Sequence, residues 1–121
     1  MLDNRIDLNF KKGESKDYTV TVTDELGSAV DLTGGRAKFT VKQTVDAVSA
    51  DIEKDSDVGP TEVELTDPAN GQFVIKLVPS DTSSLTAGEY FYDIWVELAS
   101  GKRYPVVCPS SFFIEQTITT F

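Results

Sequence analysis

Histidine is absent from these 121 residues, and cysteine, tryptophan and methionine occur once each. Lack of histidine excludes Ser-His-Asp and Cys-His nucleophile systems and removes the commonest zinc ligand. One cysteine, Cys108, excludes an internal disulfide; a buried, inert thiol is expected there. No apolar run approaches the ~20 residues of a membrane-spanning helix. The opening MLDNRIDLNF lacks the basic-then-apolar layout of a secretion signal, so a soluble chain without a membrane partner is expected. Positive charge is scarce: 11 Lys and Arg against 20 Asp and Glu give a net charge of −9. The cations are scattered, which argues against a nucleic-acid partner. The acidity reads as solubility.

Alternation is abundant. Tyr90, Tyr92, Ile94, Val96 and Leu98 point one way, while Phe91, Asp93, Trp95 and Glu97 point the other. This period of two, rich in aromatic and β-branched residues, predicts a central strand. Shorter alternating runs surround it: Ile6–Phe10, Tyr18–Thr23, Ala37–Lys42, Glu62–Leu65 and Phe73–Leu77. Asp67–Gly71 is too short for a parallel crossover and predicts a tight antiparallel connection. Pro79–Leu85 predicts one helical turn. Ser100–Gly101–Lys102 predicts a hairpin, followed by strands over 103–108 and 112–116 with a break at Pro109. The stretch 43–61 is the least ordered in appearance, with one short strand near 50–53.

Seven or eight short strands, with turns every 8–15 residues and no helix longer than a turn, predict an all-β, immunoglobulin-like antiparallel sandwich. One domain over 1–121 accommodates them. Gly88, two positions before Tyr90 at the opening of the central strand, has the form of a tyrosine corner, whose phenol hydroxyl bonds to upstream backbone. Tyr92 belongs to the same apolar face.

Few residue sets suggest chemistry. Asp51, Glu53, Asp55, Asp57 and Glu62 have the 1-3-5-7-12 spacing of an EF-hand loop, but Ser56 occupies the glycine position and no flanking helices are expected. The segment therefore reads as a solvated acidic loop without metal, and no cofactor is expected. A small sandwich offers little cleft for a carboxylate pair, so a non-enzymatic protein is expected. Phe91 and Trp95 are the interface candidates. They pack on cross-strand neighbours, are covered by Phe121 or the N-terminal strand, dock a protein, or stack on sugar.

Several segments together resemble a known family. They are Phe10-Lys11-Lys12-Gly13-Glu14 and Tyr18-Thr19-Val20-Thr21-Val22, Asp31-Leu32-Thr33-Gly34 leading into Ala37–Lys42, Asn70–Leu77 with Asp81-Thr82, and Leu85–Ile94 with Gly101-Lys102. Their order resembles immunoglobulin-like modules of tailed-phage structural proteins, in particular the N-terminal domain of the baseplate upper protein family. The resemblance implies a non-enzymatic virion component of the tail or baseplate, made in the bacterial cytoplasm. Its implied partners are other tail or baseplate proteins, or further copies of itself. In any such sandwich the edge strands would offer unpaired backbone groups for docking, with the exposed aromatics as anchors. It also implies that Phe39 takes the place of the core tryptophan of antibody domains, and that Val20 or Val22 and Tyr92 stand where their cysteines would be. Family members usually continue into a longer protein, whereas closure of the sandwich near Phe121 leaves no receptor-binding part in this sequence. A carbohydrate-binding or adhesive module for a cell surface is the alternative.

Overall fold

The structure, a computed structural model, describes residues 5–119 and 121. Eight strands build it: β1 (Leu8–Lys11), β2 (Lys16–Thr21), β3 (Arg36–Lys42), β4 (Ile52–Asp55), β5 (Val63–Asp67), β6 (Gln72–Leu77), β7 (Gly88–Glu97) and β8 (Arg103–Glu115). One sheet has the order β1-β8-β7-β3-β4 and the other β2-β6-β5. All pairings are antiparallel except β1 with β8. This is an immunoglobulin-like sandwich, in which β3, β7 and β8 form one sheet core and β2, β6 and β5 the other.

The period of two dictates which side chains meet between the sheets. From β7, Tyr90, Tyr92, Ile94 and Val96 are buried, as are Ala37, Phe39 and Val41 from β3. The opposite sheet contributes Val20, Val63, Phe73, Ile75 and Leu77. Phe112 lies within an aromatic cluster: its ring centroid is 4.8 Å from Phe10, 6.1 Å from Phe39 and 6.2 Å from Tyr92. Phe39 and Tyr92 are 5.6 Å apart. Offset and edge-on rings at these distances add attraction beyond the area they bury.

The tyrosine corner is present. Tyr90 Oη donates to the Thr86 carbonyl at 2.8 Å, and burial raises the Tyr90 phenol pKa, aided by the nearby Asp51 charge. Gly88 opens the strand with φ +148°, backbone that other residues rarely adopt. Because Thr86 itself is exposed, its carbonyl can turn to water when the phenol is lost. Tyr90→Phe is therefore expected to cost about 1 kcal/mol in urea unfolding. An unchanged midpoint would show that the bond contributes nothing. Tyr92 makes a second tether, donating from Oη to the Ile6 carbonyl; burial pushes its phenol far above the usual tyrosine range.

The connections follow from local chemistry. A 3-10 turn at Pro68–Asn70 links β5 to β6 and ends at Gly71 with φ +73°. A Cβ there would sit 2.6 Å from the Val22 carbonyl oxygen, so only glycine lets these backbones approach. The predicted helical turn is α1 (Pro79–Thr82), where Asp81 accepts from the Val78 amide at 2.8 Å.

Three expectations are corrected. Pro109 does not divide the last strand: β8 runs unbroken from Arg103 to Glu115, with register shifts opposite Tyr92–Trp95. The shift between Tyr92 and Ile94 sets Cys108 and Pro109 together opposite Asp93, a bulge where Pro109 needs no ladder bond to donate. The shift between Ile94 and Trp95 adds Val106, so that consecutive Val106 and Val107 are both buried. Cys108, at the first of these bulges, is half-buried rather than buried. The 43–61 stretch contains the short strand expected near 50–53, as β4, but it is not simply a solvated acidic loop: Lys54 and Asp55 are buried, each with a partner of opposite charge.

Candidate functional site

The outer face of the five-stranded sheet carries Phe91, Trp95 and Phe113, which lie outside the core. On β7, Phe91, Asp93, Trp95 and Glu97 occupy alternate positions facing away from the core. Trp95 lies in register between Lys38 of β3 and Pro105 of β8, and Phe91 between Lys42 and Ser111. Trp95 is 42% exposed and Phe91 half-buried. Phe113, in register with Glu89, extends this face and is 37% exposed.

The two predicted interface residues thus share a face, and neither predicted cover lies over them. Phe121 is fully exposed. The N-terminal strand is the sheet edge beside β8, its Leu8 in register with Phe112. Tyr90, Tyr92 and Phe39 point to the opposite side and serve the core. Phe113 escapes the sequence reading, although its signal is there: if Phe112 and Ile114 face inward, Phe113 must face out.

Polar groups hold this surface in shape. The Trp95 indole N–H donates to Asp93 Oδ2 at 3.0 Å. Arg36 Nε donates to Asp55 Oδ1 at 2.9 Å and lies 3.4 Å from Asp57. Lys38 Nζ is 2.8 Å from Glu53, and Arg103 pairs with Glu97. The bond from Arg36 holds the buried Asp55 carboxyl below its ordinary pKa, against the desolvation that would raise it. Arg36 is correspondingly held above its own. Beside Trp95 is an open hollow of about 240 Å³ bounded by Arg36, Lys38, Glu97 and Arg103. A second, of about 180 Å³, lies by Phe91, Thr40, Lys42, Asp93 and Pro109.

The EF-hand-like carboxylates are dispersed by the strand that carries them. Asp55 turns to Arg36, Glu53 to Lys38, and Glu62 Oε1 accepts the Asp55 amide at 3.1 Å. Among the described residues no three His, Cys, Asp or Glu side chains converge as metal ligands would. The surface is therefore a shallow, mixed-charge platform with aromatic centres. Its cations near Trp95 already have carboxylate partners, so an arriving surface would meet apolar area framed by satisfied polar groups.

No protein-family model matches the chain, and no curated protein matches it either.

Proposed function

We propose that this chain is a non-enzymatic structural module of a phage virion, a tail or baseplate component acting through protein–protein contacts. The observation that carries the contact role is the placement of Trp95 and Phe113 as exposed aromatics on one sheet face, with Phe91 half-buried among them. Tryptophan is enriched where interfaces concentrate their binding energy. The polar surroundings are pre-paired, so docking would not strand a naked charge. The phage setting rests on the order of the sequence segments that resemble baseplate modules.

Immunogold electron microscopy of phage particles, with antibody to this chain, tests the reading. Label at the tail tip is expected. Label on the capsid would keep a structural role but move it to the head. Labelled cells without labelled particles would overturn the phage assignment.

The alternative is an adhesive module that binds carbohydrate, and the hollow beside Trp95 favours it. There an exposed indole adjoins Arg36, Glu97 and Arg103, groups able to bond hydroxyls around a stacked ring. A saturable change in Trp95 emission on glycan titration would select that reading.

A further inference from the structure

A two-sheet sandwich has four edge strands; three of these are short and capped or irregular, while β2 carries only the charges of Lys16 and Asp17 at its start. Strands β1 and β4 have four residues each. An amide on each is capped by a carboxylate: Glu14 Oε1 accepts from Lys11 N at 2.7 Å, and Glu62 Oε1 from Asp55 N at 3.1 Å. Strand β5 has a register shift between Glu64 and Asp67. Strand β2 differs. Its six residues pair with β6 in unbroken register and include neither proline nor glycine.

The free groups on β2 can be assigned. Val22 N donates to Gly71 O at 2.8 Å, continuing the β2–β6 ladder. Alternation then turns the amides and carbonyls of Lys16, Tyr18 and Val20 toward β6, and those of Asp17, Thr19 and Thr21 outward. Among the described residues none of these outward groups has a hydrogen-bond partner, and all three side chains are exposed.

We propose that β2 is a self-pairing edge, joining two copies antiparallel about a two-fold axis at Thr19 into a continuous sheet. In that register Asp17 faces Thr21 of the second copy, Thr19 faces its own counterpart, and Thr21 faces Asp17. Each such narrow pair exchanges two hydrogen bonds, and every outward group is satisfied. Threonine hydroxyls can donate to the Asp17 carboxylates across the strands. An axis at Asp17 would instead oppose two carboxylates. An axis at Thr21 would drive the second copy toward the turn closed by the Thr23–Ala29 bridge. The net charge of −9 on each copy opposes approach, so added salt strengthens the pairing. This surface is separate from the aromatic face, and the inference stands without the proposed function.

Sedimentation over a concentration series at physiological ionic strength tests it on the full chain. A monomer–dimer equilibrium is expected for wild type. It should be lost in Thr19→Lys, which opposes two cations at the axis while leaving an exposed side chain of the monomer free to extend into water. A monomer at every concentration, or a Thr19→Lys dimer of undiminished affinity, would overturn the proposal.

Cross-linking in a Cys108→Ser background tests the register. Thr19→Cys should oxidise to a covalent dimer, since facing residues of a narrow pair lie ~5.5 Å apart at Cα, within disulfide reach. Thr21→Cys should not, because its counterpart lies ~13 Å away along the strands. Equal cross-linking by both variants, or none from Thr19→Cys, would sink the two-fold at Thr19.

Discussion

Replacing Asp81 with alanine should destabilise the sandwich by about 3 kcal/mol at neutral pH, more than a surface carboxylate would suggest. Lys54 is opposite Phe39 in the ladder, so its side chain starts on the core side of β4. Its stem is covered by the fold, and its ammonium ends 2.9 Å from Asp81 Oδ2 on α1, with both side chains largely shielded from water. Asp81 also accepts the Val78 amide, and its neighbour Thr82 accepts the Gly13 amide at 2.8 Å. Removing Asp81 leaves a shielded ammonium without its carboxylate and frees an amide at the helical turn. Adding Lys54→Met to Asp81→Ala should recover most of that loss. The double variant keeps an apolar stem at position 54 and leaves neither charge of the pair shielded without its partner. Replacing a whole shielded pair by apolar groups is often near-neutral, whereas removing one member is not. Urea unfolding of both variants decides the matter. Equal losses would mean that the pair matters for its attraction, whereas the predicted recovery means that it matters through the cost of an orphaned cation.

Phe112→Ala should be the most damaging single substitution considered, at about 3–5 kcal/mol. The ring is fully buried and has three aromatic neighbours drawn from β1, β3 and β7. Its loss would leave a cavity that those rings cannot easily fill, since each is itself held by packing. Against a typical domain stability of about 5–15 kcal/mol, this approaches the margin for folding. Phe112→Leu should recover much of the deficit. A loss below about 1.5 kcal/mol for Phe112→Ala, read from denaturant midpoints at equal slopes, would contradict the packing described.

The fold was legible where alternation is strict. Tyr90 to Val96 could face only one way, and a sheet with one face buried leaves no freedom of register. The corner at Tyr90 was readable because Gly88 and the phenol occur at the spacing that the turn demands. Legibility failed where a residue's role depends on a remote partner. Lys54 and Asp55 look like solvated charges until α1 and Arg36 are placed beside them. Pro109 looks like a strand end until the bulge removes any need for its amide. At the candidate site, Trp95 and Phe91 were visible as aromatics on a polar face, but their exposure depended on where Phe121 and the N-terminal strand came to lie. The third aromatic, Phe113, could be placed only by reading past the Phe112–Phe113 pair to Ile114, whose alternation with Phe112 sets Phe113 on the other face.

The parallel pairing of β1 with β8 has a mechanical consequence. The first and last strands run the same way, with Leu8 beside Phe112 and Lys11 beside Glu115. Tension applied to the two ends of the chain would therefore pull these neighbours in opposite directions along their length. Their ladder would be loaded in shear, many bonds bearing the force together, rather than peeled open one bond at a time. A module held between two anchored neighbours would resist extension at this seam, and the Tyr92 tether to Ile6 lies close to where that load enters.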